Sequence, residues 1–364
     1  MKLHLSAPSS NLLHSHIQIT GSKSESNRAL LLQALYPNIT IENLSNSEDS
    51  QVMKKGLGIK NGIVDIHHAG TAMRFLTGYF ASQEGKEVTL TGSKRMTERP
   101  VKVLVEALQG LGADIVYVNN DGYPPIKIQG KKLNQGKVSL PANISSQYIS
   151  SLLLIAPSLP NGLELHLMGK ITSVPYIKMT LALLSQIGVE NSFLGNTIRV
   201  SPKSVVDDKN LIIESDWSSA SYFYSIVALS EIGSEITLSA YKKNSLQGDS
   251  VLNEFYKDFG VETVFGENEI VLKKVDQPKD LVLEYNLANA PDIAQTIAVT
   301  CFGLGIGCHL TGLHTLKIKE TDRLEALYTE LTKLGADISV TDKALTLNAS
   351  EASKKEVAID TYND

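Results

Sequence analysis

The amino-acid sequence predicts an α/β protein of two domains, built from repeated units of about 74 residues. Three observations predict this fold: the length of 364 residues, two series of helix signals that recur in phase, and strand-like segments between them. A domain averages roughly 150 residues, so this length suffices for two. Hydrophobic residues make up 42% and charged residues 20% of the chain, a composition typical of globular proteins.

The first series marks the ends of helices. Four similar segments each combine the end of an amphipathic helix, a glycine and the start of a strand. Glycine adopts the left-handed conformation that commonly follows the last helical turn, because it has no Cβ to clash. These glycines recur at intervals of 72 to 76 residues: Gly112, Gly188, Gly260 and Gly335.

The second series marks the starts of helices that are apolar on most faces. Each begins with a small polar turn, and the starts recur at intervals of 73 to 76 residues, at Gly70, Ser146, Ser219 and Asp292. Helices of this composition are usually buried, so we expect them to lie inside a layer of strands. Segment 21–35 has the same pattern; if it belongs to the series, its unit is shorter by about 30 residues.

Strands are predicted after each of these apolar helices. The strand candidates are segments 87–92, 163–169, 234–240 and 308–312. Each unit is therefore expected to contain two helices and several strands.

Charge and hydropathy exclude several classes of partner. The net charge is −5 and no long basic run is present, so we expect no nucleic-acid partner. No apolar run reaches the roughly 18 residues that a membrane helix needs, so no membrane partner is expected. The N-terminal segment has no apolar core of a signal peptide, and we expect a cytoplasmic location.

The residues that commonly bind metals are not spaced for it. Cys301 and Cys308 lie seven apart in an apolar stretch and are predicted to be buried, reduced thiols. The eight histidines show no metal-binding spacing on a helix. We expect neither a metal nor a cofactor.

Several predicted helix starts combine small polar residues with cations. A helix N-terminus presents unpaired amides and the positive end of a dipole, so it favours anions. Each start taken singly is more typical of a plain capped turn, but together they predict phosphate or carboxylate binding. The residues concerned are Ser22, Lys23, Ser24, Arg28, Thr71, Arg74, Ser145, Ser146 and Gln147.

Two denser charged clusters precede further predicted helices. In segment 95–100, Arg95, Glu98 and Arg99 stand before Pro100, which is expected to open a helix. A solvated charged face is the alternative interpretation of each cluster. The second cluster contains Lys317, Lys319, Glu320, Asp322 and Arg323, with Thr321 or Asp322 as the helix cap.

The residues by themselves thus predict a site for a small molecule with several negative charges. Ser173 and Tyr176 flank Pro175 at another helix start and extend the set of polar groups. Groups able to accept or donate a proton are Lys23, Asp292 and Glu320.

At these positions the chain closely resembles the 5-enolpyruvylshikimate-3-phosphate (EPSP) synthase family, the 3-phosphoshikimate 1-carboxyvinyltransferases of the shikimate pathway of aromatic amino-acid biosynthesis. The family motifs occur in order across essentially the whole chain. They are "GSKSESNRALLL", "AGTAMRFL", "LTGSKRMTERPV", "SSQYISSLL", "TSVPYIKMT", "SSASYF", "APDIAQTIA" and "KETDRLEAL".

The resemblance implies a two-domain, inside-out α/β barrel with the active site in the interdomain cleft. One domain would join residues 1–21 to 214–364, with an incomplete C-terminal unit, and the other would span residues 22–213. The helix N-termini would face the cleft, and we expect a monomer.

The resemblance also implies the reaction. The 5-hydroxyl of shikimate 3-phosphate would add to C2 of phosphoenolpyruvate while C3 is protonated, and phosphate would then leave. These two small molecules are the implied partners, and no cofactor is implied.

Individual roles follow from the matching motifs. Lys23 would contact both substrates and carry a proton, Asp292 would take the proton of the 5-hydroxyl, and Glu320 would protonate and deprotonate the methylene carbon. The implied shikimate-3-phosphate ligands are Lys23, Ser24, Arg28, Ser145, Ser146, Gln147, Ser173, Tyr176, Asp292 and Lys319. The implied phosphoenolpyruvate ligands are Lys23, Gly70, Arg99, Gln147, Lys319 and Arg323.

The chain departs from the family pattern in four places, one of which is the first unit, shorter by about 30 residues. His68 and Thr315 stand where an asparagine is usual. The strand-like segment 357–359 leads into "DTYND" at 360–364, which signals a helix start, and the repeat period calls for a helix at about residue 365. A C-terminally truncated form that binds shikimate 3-phosphate better than it turns over phosphoenolpyruvate is therefore one alternative.

The second alternative is the related enolpyruvyl transferase that acts on UDP-N-acetylglucosamine. That enzyme would usually carry a reactive cysteine in a loop of the domain spanning residues 22–213. Both cysteines here lie outside that range, which favours the shikimate enzyme.

Overall fold

The computed structural model describes residues 12–171, 174–319, 321–350, 354 and 356–362. The chain folds into two compact units. Unit 1 contains the described residues up to Ile19 together with those from Ser215 onward, and unit 2 spans Thr20–Glu214. The polypeptide therefore passes from unit 1 into unit 2 and later returns.

Helices and strands alternate along both units, as the sequence predicts for an α/β fold. The helices are α1 Lys23–Leu35, α2 Glu48–Leu57, α3 Gly70–Ser82, α4 Lys94–Thr97, α5 Lys102–Gly110, α6 Ser146–Ile155, α7 Val174–Gln186, α8 Trp217–Ala228, α9 Leu252–Phe255, α10 Ala294–Leu304 and α11 Arg323–Leu334. The strands are β1 His14–Ile17, β2 Ile39–Glu42, β3 Gly62–Asp65, β4 Glu87–Thr91, β5 Asp114–Tyr117, β6 Ile126–Gln129, β7 Lys137–Pro141, β8 Leu163–Met168, β9 Asn191–Leu194, β10 Thr197–Val200, β11 Lys209–Ile212, β12 Glu235–Ser239, β13 Val261–Phe265, β14 Glu269–Lys274, β15 Val282–Asn286, β16 Gly307–Thr311, β17 Ile338–Val340 and β18 Ala344–Leu347.

Four sheets of the described chain share one topology, which confirms the repeat. In each sheet the first two strands are parallel and the other pairs are antiparallel. In three of them an apolar helix connects the parallel strands, as a parallel pair requires a crossover. The strand orders are β3-β4-β6-β5, β7-β8-β10-β9, β1-β12-β14-β13 and β15-β16-β18-β17.

A two-stranded parallel sheet identifies the shortened first unit. It pairs β11 with β2, and α1 immediately precedes β2. The chain then continues through α2 to β3 without the two antiparallel strands that complete the other units. Along the chain, β1 precedes α1 and β2, and β11 precedes α8 and β12. In the sheets, however, β1 pairs with β12 and β11 pairs with β2, so these two repeats have exchanged their first strands.

The predicted helix starts are confirmed to within two residues. α3 and α6 begin at Gly70 and Ser146. α8 begins two residues before Ser219, because the Asp216 side chain accepts the Ser219 amide and caps the helix. Asp292 lies in a 3₁₀ turn, Pro291–Ile293, directly before α10.

The four repeat glycines all have positive φ, as predicted. Gly112 and Gly188 follow the last turns of α5 and α7, and Gly335 caps α11. Gly260 is different because α9 is only four residues long and the chain reaches this glycine through further turns. Its φ is 73°.

The inner helices of each unit pack in register with their repeat equivalents. In unit 2, the Ser151 hydroxyl of α6 donates to the Arg74 carbonyl of α3 at 2.7 Å. In unit 1, Ser221 of α8 pairs with Thr296 of α10 at 2.8 Å, and Ser225 pairs with Thr300 one turn later at 2.8 Å. Partners about one repeat apart meet at each turn, so these helices run side by side in the same direction.

Burial shows that helices form the interior and sheets the exterior of unit 2. Nearly every residue of α3 and α6 is buried, including polar Thr77, Ser150 and Ser151. The outer sheet faces expose residues such as Ile63 and Leu194. In unit 1, α8 and α10 keep an exposed apolar face at Tyr222, Ile226, Leu229 and Val299.

Two local predictions are wrong. Pro100 does not open a helix, because α5 begins at Lys102 with Val101 at its N-cap, and the Pro100 carbonyl instead accepts side-chain hydrogen bonds. Segment 357–359 is not a strand. The chain just after it is held by α11, where the Glu330 carboxylate accepts the Asp360 amide at 3.0 Å.

The thiol prediction is confirmed, since Cys301 and Cys308 are both free and buried. A hydrogen bond between them and burial raise the pKa of the Cys301 thiol. Within the described residues, no helix is long and apolar enough to cross a membrane. The same residues contain no group of three or more histidine, cysteine, aspartate or glutamate side chains placed to hold a metal ion.

The surroundings of Gly260 and Gly188 predict that the same substitution, glycine to alanine, lowers stability by different amounts at the two positions. A Cβ on Gly260 would lie 1.9 Å from the Asp276 carbonyl oxygen, whereas a Cβ on Gly188 would lie 3.7 Å from the Lys203 side chain. Their φ angles, 73° and 75°, are nearly the same. Gly188→Ala should lower the unfolding free energy by about 1–2 kcal/mol, from left-handed strain alone, and Gly260→Ala should lower it considerably more. Urea unfolding followed by circular dichroism measures both, and equal losses would contradict the steric argument.

Candidate functional site

Arg28 of α1 ties three helix N-termini of unit 2 together. Its side chain is 2% exposed and donates to Thr180 Oγ1 of α7 at 2.8 Å and to Ser150 Oγ of α6 at 2.9 Å. It also donates to the Ser24 carbonyl in the first turn of α1 at 2.6 Å. All three partners lie in the first or second turn of their helices, so α1, α6 and α7 begin at the same end of unit 2.

Burial also affects the charge of this arginine. Desolvation lowers the pKa of Arg28 to about 10, so the guanidinium remains charged at neutral pH. The rings of Phe75 and Tyr176 lie over the guanidinium, with centroids at 5.3 and 5.9 Å, and partly replace water as its surroundings. The sequence predicts Arg28 as a ligand of shikimate 3-phosphate; in the structure its bonds go to the protein interior, and the ligand role stays a prediction.

Arg99 rests on the N-terminus of α3. A Cβ on Gly70 would lie 2.7 Å from Arg99 Nη1, so only a residue without a side chain lets the guanidinium approach the helix this closely. The neighbouring Pro100 carbonyl accepts from the Tyr148 hydroxyl at 2.5 Å and from Arg74 Nη2 at 2.9 Å. These two bonds hold the backbone beside Arg99 in place.

The N-terminus of α6 adjoins that of α3. The side-chain amide of Gln147 donates to Thr71 Oγ1 at 3.2 Å. The Ser145 hydroxyl caps α6 by accepting the backbone N–H of Gln147 at 3.3 Å. At the start of α1, Lys23 Nζ lies 3.9 Å from Asp49 Oδ1, and the lysine side chain is 44% exposed.

This end of unit 2 therefore combines helix N-termini with cations. Ser24, Ser146 and Tyr176 lie in the first turns of α1, α6 and α7, and Ser173 lies outside the described residues. Helix amides and dipoles add to the charges of Lys23 and Arg99, so the surface suits phosphate or carboxylate groups.

Unit 1 brings three of the predicted site residues into one cluster. Asp292 Oδ1 lies 3.1 Å from Lys319 Nζ and 2.9 Å from Arg323 Nη1. Asp322 caps α11 by accepting the Glu325 amide at 3.2 Å, which confirms one of the two predicted caps and places Arg323 at the first residue of the helix. The cluster joins one carboxylate to two cations that anionic ligands can also approach. Glu320 lies outside the described residues.

Asp249 is a functional candidate that the sequence analysis missed. It lies in the 3₁₀ turn Gly248–Val251 and is 4% exposed. Burial, followed by the nearby charges of Asp292 and Asp216, raises its pKa to about 7, while a Ser218 hydrogen bond and Lys319 act in the opposite direction. The sequence around it resembles an ordinary polar turn, so only its burial beside Asp292 distinguishes it. Asp49, in the first turn of α2, was also missed, because only the structure shows that Lys23 lies 3.9 Å from it.

The fold and these clusters define a class of protein: a repeated α/β protein with helix N-termini and paired cations arranged for small anions. Comparisons with known proteins identify the class more closely. The family model described as EPSP synthase (3-phosphoshikimate 1-carboxyvinyltransferase) matches residues 57–364. This chain belongs to the EPSP synthase family.

Individual relatives agree with the family assignment. The chain is 46% identical over 337 residues to a 3-phosphoshikimate 1-carboxyvinyltransferase of Bacteroides fragilis, covering 92% of this chain and 81% of the relative. It is 36% identical to an enzyme of the same name from Photobacterium damsela subsp. piscicida, covering 97% of this chain and 88% of the relative. The solved EPSP synthase from Acinetobacter baumannii has the same fold, with a TM-score of 0.72, 21% identity, and coverage of 95% of this chain and 84% of the other.

The buried bonds of Arg28 predict that lysine cannot replace it. Lysine lacks the planar fork that reaches Thr180 and Ser150 at once, so Arg28→Lys should lower the unfolding free energy by about 2–4 kcal/mol. Arg199→Lys is the matched control, because Arg199 pairs with Glu164 at the surface and is 56% exposed. Thermal unfolding of both variants checks this, and a control that is as unstable as Arg28→Lys would contradict it.

Proposed function

We propose that this protein transfers the enolpyruvyl group of phosphoenolpyruvate to the 5-hydroxyl of shikimate 3-phosphate and releases phosphate. Membership of the EPSP synthase family and the names of its relatives support the proposal. The observation that carries it in the structure is Asp292 held between Lys319 and Arg323. This cluster combines a proton acceptor with cations for anionic substrates, as the reaction requires.

The proposed chemistry has two stages. In the first, the substrate 5-oxygen loses its proton to Asp292 and bonds to C2 of phosphoenolpyruvate, while C3 gains a proton from Glu320. In the second, the bond from C2 to the phosphate oxygen breaks and C3 returns its proton to Glu320, which restores the double bond. Lys23 would contact both substrates and carry a proton between them.

The remaining site residues would supply charge and hydrogen bonds. The two substrates together bring two phosphates and two carboxylates, so cations and helix amides are needed to hold them and the adduct. Shikimate 3-phosphate is assigned to Lys23, Ser24, Arg28, Ser145, Ser146, Gln147, Ser173, Tyr176, Asp292 and Lys319. Phosphoenolpyruvate is assigned to Lys23, Gly70, Arg99, Gln147, Lys319 and Arg323.

The two alternatives receive less support. The family and the names of the relatives favour the shikimate substrate over a UDP-amino sugar, and they do not favour a poorly active binding form. A monomeric state, a cytoplasmic location and the absence of a nucleic-acid partner stay predictions from the sequence.

A phosphate-release assay tests the proposed reaction directly. With phosphoenolpyruvate present, the protein should release phosphate when shikimate 3-phosphate is added and not when UDP-N-acetylglucosamine is added. Release with the UDP-sugar alone would transfer the assignment to the related enzyme. Calorimetric binding of shikimate 3-phosphate without any turnover would instead support the binding form.

Asp292→Asn tests the role of the proposed base. The amide cannot accept the hydroxyl proton, and it leaves Lys319 and Arg323 without their shared carboxylate, so kcat should fall by about 10²–10⁴-fold. Asp342→Asn is the control, because Asp342 pairs with Lys317 at the surface and is 85% exposed. Steady-state kinetics compare the two, and a wild-type kcat for Asp292→Asn would exclude it as the base.

A further inference from the structure

A second carboxyl group, Asp249, lies buried near the Asp292 cluster of unit 1. The turn that carries it is fixed against the start of α8 by Gln247, which accepts the Trp217 amide and donates to the Ser215 carbonyl, both at 2.9 Å. The Ser218 hydroxyl donates to Asp249 Oδ2. Because Gln247 fixes the turn and Ser218 holds one carboxyl oxygen, Asp249 cannot move out to solvent without breaking these bonds.

The surroundings of Asp249 do not favour a charged carboxylate. Its other oxygen, Oδ1, is buried and has no hydrogen-bond partner among the residues that the structure describes. An ionised carboxylate in a protein interior needs several donors or a cation, because desolvation otherwise costs it several kcal/mol. Within the described part of the chain, the side chain of Asp249 accepts one hydrogen bond, from the Ser218 hydroxyl. A proton on the carboxyl group removes most of the desolvation cost.

The charged groups that act on Asp249 come from three neighbouring elements. Asp216 at the cap of α8 and Asp292 before α10 are negative, and Lys319 before α11 is positive. Lys319 is already 3.1 Å from Asp292, which also has Arg323 at 2.9 Å. The two cations therefore stabilise the charge of Asp292. Asp249 is repelled by the charges of Asp292 and Asp216 and attracted by that of Lys319, which Asp292 already pairs with.

We infer that Asp249 is a positioning residue for Asp292: as a neutral, buried carboxyl group it leaves Lys319 and Arg323 to Asp292 and to the anionic substrates. Two carboxyl groups in unlike environments commonly divide their roles in this way. When Asp249 loses its proton, a second negative charge competes for Lys319 and opposes substrate binding. The expected effect on kcat/KM rests on the proposed function. The expected effect of pH on stability does not.

The kinetic test compares Asp249→Asn with wild type across pH 5–9. Asparagine is neutral at every pH and can accept the Ser218 hydrogen bond, so kcat/KM should fall less steeply than in wild type above pH 7. The alkaline midpoint should move upward by about one unit or more. Ser218→Ala removes the hydrogen bond that favours the charged form, so it should move the same midpoint upward while Asp249 remains. An unchanged alkaline limb in Asp249→Asn, or loss of activity at every pH, would overturn the inference.

The stability test needs no turnover. The pKa of Asp249 in the folded protein, about 7, exceeds its ordinary value of 3.8, so the folded state holds an extra proton between these values. The contribution of Asp249 to the stability of wild type should therefore decrease as pH rises from 4 to 7, and Asp249→Asn should remove this contribution. The difference in Tm between this variant and wild type should grow from pH 5 to pH 8, whereas Asp280→Asn at an exposed position should show a constant difference.

These two tests separate the possible failures. If the Tm difference grows with pH but the protein shows no turnover, the neutral state of Asp249 is supported and the proposed function is rejected. Turnover with a Tm difference that does not depend on pH would retain the proposed function and reject the neutral state of Asp249.

Discussion

The structure depends on parallel packing of repeated helices in matching register. Arg28 in unit 2, and the Ser221–Thr296 and Ser225–Thr300 pairs in unit 1, all join equivalent turns of neighbouring helices. Helices packed in this way begin at the same end, so their unpaired amides and dipoles add instead of cancelling. That end attracts anions before any charged side chain is considered. Lys23, Arg99 and the cations of the Asp292 cluster then add charge to surfaces that the fold has already made favourable.

Buried polar groups make this packing possible and also restrict it. Interior helices must satisfy hydroxyl and guanidinium groups away from water, and they do so through bonds such as those from Arg28 to Thr180 and Ser150. Asp292 and Asp249 show the same constraint acting on acids. Among the described residues, Asp292 has two cations within ion-pair distance, which stabilise its charge, whereas the Asp249 side chain accepts one hydrogen bond, from Ser218. Burial therefore raises the pKa of Asp249.

Much of the fold could be predicted because its signals are local. Glycine at Gly112, Gly188 and Gly335 predicts where helices end, since the left-handed conformation is required there whatever surrounds it. The Pro100 prediction was wrong because the chain folds back to bring Pro100 against Tyr148 and Arg74, whose bonds to its carbonyl fix it outside α5. Asp49 and Asp249 could not be predicted, because their partners, Lys23 and Ser218, lie 26 and 31 residues away in sequence.

The sequence by itself determined the repeat, the two-helix unit, the shortened first unit and the residue types at the helix starts. Each of these follows from spacing and local backbone preference, which the printed letters contain. Only the tertiary structure decided that Arg28 is bound to interior groups and that Asp292 lies between Lys319 and Arg323. It also showed that Asp249 is buried beside that cluster. Burial and the distances between charges arise when distant segments meet, and these quantities set the pKa and the partner of each group.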